Sequence, residues 1–528
     1  MNAKLPLAAF FAISATSTLF GQILEHSIIA KDPDGTQEFG RQGAVEITNG
    51  FALIGDGNYG VNRGAVQVLL RDGVDQWREY GLVQDQYGGD GDRFGWSVAS
   101  DGRFVIVGAP FGDDAGNSIY DCGGALIYDV TRPGNPPVRL QQPSDIEPGD
   151  QFGWSVDILD SFNGIPFAVV GTPDTDNTAE ATGSVYIYEL HGNQWDLAKE
   201  LHCPQNQTNR FGEDVAISEN PNASGGFELL VGSPGANVGI GRAYFYYHTP
   251  PHSWDESRRI DGYNSTSNMG FGSTVALHGD FAVIGNPNET VNSRTGCGAV
   301  YVFERGAAGW PAQGGQDHLL SGTDPGDMFG VDVDLVPTPA GIKVAVGALS
   351  ADLHNNDSGA VYVYERTGPA AWTSQTIWQA YGGYQMEFGS GVSLAADGND
   401  TLLLAGGKES DVAQIFNLDR NWNTYTAIPS MVKTIVTDEY EFMSSGLESG
   451  HTVDFIAGTL EGNAVYRGVQ TLFADPTPIA TATADSWGEG KRIATIAFLP
   501  NAFAVQAVEF DSNGNGTTAS SDYIIHWP

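Results

Sequence analysis

The sequence feature that most constrains this fold is a phenylalanine–glycine pair that returns at a nearly constant interval. Successive pairs are separated by 55, 58, 59, 60, 58 and 59 residues. They start at Phe39, Phe94, Phe152, Phe211, Phe271, Phe329 and Phe388. Two worn copies follow, one at Phe442, where Met443 replaces the glycine, and one at Trp487. Self-similarity at a fixed period indicates a repeat architecture, so we expect an array of equivalent structural units.

Each repeat has the same internal order of apolar and turn-forming segments. The copy from Gly149 to Tyr188 reads GDQFGWSV, then a turn, PFAVVGTP, an acidic loop and GSVYIYEL. Most copies add a fourth apolar segment that opens with tryptophan. Four short strands without a helical period are typical of a β-propeller blade. One blade buries too little surface alone, so blades must stack around a ring. The sequence therefore predicts an all-β protein, a single β-propeller of four-stranded blades.

The chain ends predict how the ring closes. The last repeat stops after its third strand, SDYIIHWP, whereas residues 22–38 resemble a fourth strand followed by an anchor. We therefore expect Ile23 to Ile29 to complete the last blade, which would remove open sheet edges. Nine repeats exceed the usual four to eight blades, so seven or eight blades are possible within a propeller that spans 22–528. In the alternative, a propeller over 22–430 precedes a C-terminal β-module at 431–528.

These repeats resemble the FG-GAP family. Its two motifs stand here as Phe94-Gly95 with Gly108-Ala109-Pro110, and as Phe152-Gly153 with Gly171-Thr172-Pro173. The family includes the propeller of integrin α-subunits and secreted microbial and algal proteins. The resemblance implies a propeller fold and often adhesion or protein binding, but it implies no single activity. Integrin-type repeats bind calcium between their first and second strands. The corresponding turns here lack the full alternating set of oxygen ligands, so those sites are not carried over.

Composition indicates an extracellular protein. Residues 1–21 have the charged start, apolar core and small-residue end of a secretory signal peptide. No later stretch has the ~18 apolar residues of a membrane span. The chain carries 64 acidic and 25 basic residues, a net charge of −39, which excludes nucleic acid as a plausible partner. Three cysteines, Cys122, Cys203 and Cys297, allow one disulfide, but the sequence does not choose the pair.

Acidic residues concentrate in two sets of loops, which regular blades would bring to one face. Candidates for weak calcium binding, or for contact with a basic partner, are Asp90, Asp92, Asp113, Asp114, Asp150, Asp174, Asp176 and Asp327. The alternative is that these residues only shape turns, because Asp bonds to nearby backbone amides. Trp96 and Trp154, directly after Phe-Gly pairs, are candidates for stacking on a sugar. The alternative for both is packing between blades.

No motif nominates a catalytic centre. The ten histidines are scattered, and neither a zinc-protease nor a nucleophile-elbow motif occurs. We therefore expect a secreted, non-catalytic binding or adhesion module for an extracellular protein or glycan. A secreted hydrolase or lyase with its site at the central opening and a structural matrix or wall component are alternatives. In a eukaryotic source, glycosylation is predicted at sequons beginning at Asn206, Asn222, Asn264, Asn288, Asn356, Asn399 and Asn515.

Overall fold

The computed structural model describes most of the chain up to residue 419 with its side chains. The described ranges are 23–31, 38–73, 76–113, 121–144, 146–160, 165–176, 181–204, 209–220, 226–249, 253–262, 270–311, 316, 318–338, 341–352, 357–368, 371–377, 387–398, 400–409 and 411–419. Side chains at 23–24, 249 and 375 are outside this description. Between 428 and 526 it describes the backbone of ten strands.

Seven four-stranded antiparallel sheets form the blades of a propeller ring, which confirms the predicted fold class. The first six blades each use four strands in chain order. They are β2 Val45–Ile47, β3 Phe51–Asp56, β4 Ala65–Gly73 and β5 Gln76–Val83; β6 Ser97–Ser100, β7 Phe104–Gly108, β8 Ala125–Asp129 and β9 Val138–Arg139; β10 Ser155–Leu159, β11 Phe167–Thr172, β12 Ser184–His191 and β13 Gln194–His202; β14 Val215–Glu219, β15 Phe227–Ser233, β16 Arg242–Thr249 and β17 Ser253–Asp261; β18 Thr274–His278, β19 Phe281–Asn286, β20 Ala299–Glu304 and β21 His318–Ser321; and β22 Phe329–Thr338, β23 Gly341–Ala348, β24 Ala360–Gly368 and β25 Ala371–Ile377. Two single helical turns, α1 Tyr59–Asn62 and α2 Ala236–Gly239, lie in the loops between second and third strands.

The seventh blade is completed by the N-terminal strand, as expected of a propeller closed non-covalently. It contains β26 Phe388–Asp397, β27 Asp400–Gly407, β28 Val412–Asn417 and, on the outer edge, β1 Ile23–Ile29. The partner of β1 is β28, with Ile23 opposite Asn417 and Ile29 opposite Val412. Our prediction that β1 pairs with the last repeat of the chain was wrong. In the seventh blade β1 holds the place that the fourth strand holds in the other six.

The strands after residue 419 form separate sheets. They are β29 Ile428–Lys433, β30 Glu439–Ser445, β31 Thr452–Gly458, β32 Val465–Tyr466, β33 Val469–Gln470, β34 Thr477–Thr483, β35 Gly490–Thr495, β36 Phe503–Phe510, β37 Gly516–Ala519 and β38 Ile524–His526. The worn repeats contribute β30 and β35, which pair with each other and with no strand of a blade. The division of the chain into domains stays a prediction.

The Phe-Gly pairs join neighbouring blades. The seven phenylalanines are at most 1% exposed, and six of them form a parallel bridge to a glycine of the preceding blade, as Phe152 does with Gly123. The glycine of each pair has a positive φ, +92° at Gly153. A Cβ there would overlap the carbonyl oxygen of Gly124 in the preceding blade. Only glycine combines this backbone conformation with so close an approach.

The hydrophobic core lies between blades rather than in one centre. One cluster joins Phe104, Ile106 and Ile127 of the second blade to Val156 and Tyr186 of the third. Similar clusters lie at the other junctions between blades. Each blade packs against a neighbouring blade on both faces, so its strands must be apolar on both sides. The ring therefore stabilises each blade only through its two neighbours.

Candidate functional site

The first strands of all seven blades surround a central channel with a volume of about 1120 Å³. Each first strand runs from its Phe-Gly pair towards the turn that leads to the second strand. Two loop sets therefore lie at one end of the channel, the end we call the loop face: those before the Phe-Gly pairs and those between second and third strands. Hydrogen bonds confirm that the two sets meet, as when Gly149 donates to the carbonyl of Asp121 at 3.0 Å.

A hydrogen bond spans each of the seven blade junctions beside the channel. Hydroxyl groups donate to the carbonyl of the next Phe-Gly glycine at three junctions: from Ser97 at 3.0 Å, Ser155 at 2.9 Å and Thr274 at 3.5 Å. Carboxylates accept from the next blade at two: Asp214 from the Val275 amide at 2.7 Å, and Asp332 from the Val392 amide at 2.8 Å. The last two are the Val98 amide to the Gly43 carbonyl at 2.8 Å, and the Ile47 amide to the Ser393 hydroxyl at 3.1 Å. First strands do not pair with each other, so these bonds satisfy part of their open edges.

Carboxylates also accumulate inside the channel. Asp157 accepts the Ile217 amide at 2.7 Å, and Asp334 accepts the Leu394 amide at 2.6 Å. Burial, reinforced by neighbouring carboxylates, raises the pKa of Asp157 to about 7. Burial likewise raises the pKa of Asp332 to about 7 and of Asp334 to about 6, although backbone hydrogen bonds lower both. Burial and nearby acids raise the pKa of Glu46 and of Asp214 well above their usual range.

These shifts predict that the melting temperature falls as pH rises from about 5 to about 8. The folded ring holds protons that unfolded carboxyl groups, with a pKa near 4, have already released. The resulting stabilisation is complete below about pH 4 and is lost as pH rises through about 6 to 7. Thermal melts at constant ionic strength measure this slope, and we expect Asp157→Asn to flatten it.

The control for the pH series is Asp72→Asn. Asp72 is exposed, and its hydrogen bond with Arg78 lowers its pKa, so this variant should leave the slope between about pH 5 and 8 unchanged. Parallel pH curves for the parent protein and Asp157→Asn would contradict a titrating channel.

Residues of the first blade extend across the channel at the loop face. The Gln42 amide reaches across the opening and donates to the Ser273 carbonyl of the fifth blade at 3.1 Å. The guanidinium of Arg41 lies 3.6 Å from the ring centre of Trp96 and donates to its carbonyl at 3.1 Å. Burial and the nearby Arg93 lower the pKa of Arg41 to about 10, against the opposing effect of Glu38, Glu213 and Asp332. Arg41 and Gln42 therefore line the loop-face end of the acidic channel.

Three predicted site residues hold the loops before the Phe-Gly pairs. Asp92 accepts the Gly89 amide at 2.8 Å, Asp150 the Glu147 amide at 2.8 Å, and Asp327 the Asp324 amide at 2.8 Å. All three are at most 5% exposed. Burial raises the pKa of Asp92 and Asp327 despite these hydrogen bonds. All three stand two residues before the phenylalanine of a Phe-Gly pair. Their hydrogen bonds to backbone amides therefore fix the shape of the same loop in three repeats.

The candidates between second and third strands bond to their own loops or to an arginine. Asp113 accepts the Asp121 amide at 3.0 Å, and Asp176 accepts the Ala181 amide at 2.6 Å. Asp174 pairs with Arg210 at 2.6 Å. Asp90 is exposed on the same face. The remaining candidate, Asp114, lies outside the described residues.

The described turns between first and second strands do not fit a calcium loop. Thr48 uses its hydroxyl oxygen to accept the Phe51 amide at 3.1 Å. One carboxylate oxygen of Asp101 accepts the amides of Arg103 and Phe104 at 2.8 and 2.7 Å. Among residues with described side chains, no group of three or more acidic, histidine or cysteine residues has metal-binding geometry. Calcium binding elsewhere on the loop face stays a prediction.

The remaining candidates are packed, exposed or outside the description. Trp96 is 6% exposed, and its ring lies 4.9 Å from that of Trp154 and 3.6 Å from the Arg41 guanidinium. Its ring faces are therefore not free to stack on a sugar, while Trp154 is partly exposed. The three cysteines are buried, and none forms a disulfide with another. Asn288 is exposed in a loop, and the other six glycosylation candidates lie outside the described residues. No helix in the described ranges could cross a membrane.

Two sets of functional candidates were missed in the sequence. The channel carboxylates stand in the first strands, as in VDVDL at 331–335, and their alternation with apolar residues was the available signal. The second set is the arginines that surround Trp96. They are single, widely spaced residues, and only the ring brings them together.

Comparison with known proteins supports the repeat assignment. A family model described as the FG-GAP repeat matches residues 82–126, 142–188 and 254–303. No curated protein matches the chain significantly. Among solved structures, uncomplexed acylaminoacyl peptidase from Pyrococcus horikoshii is 9% identical, with a TM-score of 0.35 over 79% of this chain and 59% of that chain. The chain thus spans 59% of that structure's length, and a likeness at this level says nothing about activity.

Three family-model matches and a ring of seven four-stranded blades agree with each other. The chain is an FG-GAP-repeat β-propeller protein.

Proposed function

We propose that this protein is a secreted, non-catalytic recognition module that binds an extracellular protein or glycan through the loop face. The FG-GAP propeller supports a general role in protein binding. Secretion rests on the signal-like residues 1–21. The ligand class rests on charge, because a surface with an acidic excess attracts basic partners.

The observation that carries the proposal is a second group of acids on the loops before the Phe-Gly pairs. The buried aspartates of these loops bond to backbone amides. Asp90, Glu147 and Asp324, two or three residues earlier, are exposed to solvent. In three blades, exposed carboxylates thus accompany the buried ones that hold the loops. Exposed charge of one sign accelerates encounter with an oppositely charged surface.

The test measures binding of the mature chain to purified extracellular proteins and to a glycan array by biolayer interferometry. We expect a ligand whose association slows as NaCl rises from about 50 to about 200 mM, since salt screens exposed charges. The triple variant Asp90→Asn, Glu147→Gln, Asp324→Asn should reduce the association rate on the order of tenfold.

The matched control removes three exposed acids from the opposite face, with Asp72→Asn, Asp255→Asn and Glu304→Gln. It changes net charge by the same amount and should leave association nearly unchanged. The proposal fails if no ligand binds, or if the two triple variants slow binding equally.

A further inference from the structure

Two arginines on the loop face lack the partners that other arginines have. In the part of the chain described with side chains, Arg63 and Arg93 are the arginines whose guanidinium groups make neither an ion pair nor a hydrogen bond. They are neighbours, since the Phe94 amide donates to the Arg63 carbonyl at 3.0 Å. The Nε of Arg63 is buried without an acceptor. Two arginines on adjoining backbone segments of an acidic protein thus have no acidic partner.

The fourth blade shows which acidic partners Arg93 lacks. Arg210 occupies the position of Arg93, directly before a Phe-Gly pair, with a similar backbone φ of +51° against +55°. Arg210 pairs with Asp174 and with Glu213, both at 2.6 Å. The places that correspond for Arg93 hold Asn58, in the preceding repeat, and Trp96, three residues after Arg93. Both acidic partners have therefore been replaced by uncharged side chains.

Trp96, which lies beside Arg93, carries a further donor without an acceptor. Arg93 lies 5.2 Å from the ring centre of Trp96 and 5.0 Å from that of Phe111. The indole Nε1 of Trp96, itself 6% exposed, is buried without an acceptor. Such a donor costs free energy until an acceptor reaches it. Arg41 and Arg93 both lie near this indole, and their like charges disfavour each other.

A glycine lies against both Arg93 and Trp96. Gly57 stands where the second, third, fourth and fifth repeats have a proline: Pro110, Pro173, Pro234 and Pro287. A Cβ at Gly57 would touch the Trp96 ring at 3.5 Å and the Cβ of Arg93 at 3.6 Å. The proline ring of the other repeats is therefore missing at a point that borders both residues.

We propose that Arg93, Arg63 and the indole N–H of Trp96 form a site for a single carboxylate group carried by a small ligand. A guanidinium matches the planar carboxylate with two parallel hydrogen bonds. The ligand carries one isolated charge, because the net charge of −39 repels polyanions. This site is independent of the exposed acids through which the loop face is proposed to bind its partner.

The experiment follows ¹⁹F NMR of the full mature chain labelled with 5-fluorotryptophan, with the Trp96 resonance assigned from its loss in Trp96→Phe. The probes are sodium glucuronate and sodium N-acetylglycinate, with glucose and N-acetylglycinamide as neutral counterparts, at ionic strength held constant with NaCl. We expect both carboxylates, and neither neutral compound, to shift the Trp96 resonance saturably. The tighter probe distinguishes a sugar acid from a peptide terminus as the source.

Two variants test the assignment without relying on a single substitution. Arg93→Gln is compatible with the backbone, since Gln151 adopts a φ of +64° at the same position of the third repeat, and it should weaken binding on the order of tenfold or more. Asn58→Asp restores the partner seen at Asp174 and should block the site from within. Arg78→Gln, on the opposite face, should bind like the parent.

The proposal is overturned if the carboxylates produce no saturable shift, or if both Arg93→Gln and Asn58→Asp bind with parental affinity. The variant without Asp90, Glu147 and Asp324 should retain carboxylate binding. Failure of this site and failure of the proposed partner recognition are therefore distinguishable.

Discussion

Deleting the closing strand, Ile23–Ile29, is expected to unfold the whole ring at physiological temperature. The strand covers the outer edge of β28 and buries Ile28, which is 1% exposed. Its Glu25 accepts Trp77 Nε1 at 2.9 Å and Asn417 Nδ2 at 3.1 Å. Losing the isoleucine costs about 2 to 5 kcal/mol, and each buried donor without its acceptor about 1 to 3 kcal/mol. The sum approaches the total stability of a typical domain, about 5 to 15 kcal/mol.

Circular dichroism melts of the parent and of a chain that starts after residue 31 measure this effect. A synthetic peptide of residues 21–31, added in trans, should restore cooperative melting, and a scrambled peptide should not. If the shortened chain melts within a few degrees of the parent, β1 contributes little to the stability of the ring.

Gly153→Ala is expected to destabilise the protein by at least about 3 kcal/mol. The backbone φ of +92° at this glycine is unfavourable for alanine, which costs about 1 to 3 kcal/mol. The new Cβ would also overlap the carbonyl oxygen of Gly124 and approach the Ala109 amide nitrogen at 3.3 Å. Both atoms belong to the backbone of the preceding blade, so relief of the overlap requires the blades to separate.

Urea unfolding curves measure the loss, and Gly102→Ala is the matched control. Gly102 also has a positive φ, +90°, but no atom lies within 4 Å of the point that an added Cβ would occupy. The control should therefore show the backbone cost alone, about 1 to 2 kcal/mol. Equal losses at both positions would mean that the contact between blades adds nothing to the role of Gly153.

The repeat could be predicted from the sequence because each of its parts has a local cause. The phenylalanine of each pair supplies a buried ring, and the glycine adopts a positive φ. Few other residues meet these two requirements, so the pair recurs in every blade. The partner of β1 could not be predicted, because only the last repeat stops after its third strand, whereas the seventh is followed by Trp422, the residue type that opens the fourth segment of other repeats. In the structure β1 holds the fourth place of the seventh blade, and Trp422 lies outside the described residues.

The candidate site was predictable in location but not in chemistry. The direction of the strands alone predicts that the acidic loops share one face. That Asp92 and Asp150 bond to amides three residues earlier depends on the exact path of each loop. The channel acids, such as Asp157, and the unpaired Arg93 depend on which side chains the curvature of the ring brings together. Sequence spacing contains no such information across blades.

The antiparallel pairing of β1 with β28 also has a mechanical consequence. Ile23, where β1 begins, lies opposite Asn417, where β28 ends. A pulling force between the chain before residue 23 and the chain after residue 417 would act at one end of this pair. The backbone hydrogen bonds between β1 and β28 would then break one after another, because the force acts on the bond nearest this end rather than on all of them at once. Tension applied in this direction would open the seventh blade first and would remove the strand on which the stability of the whole ring depends.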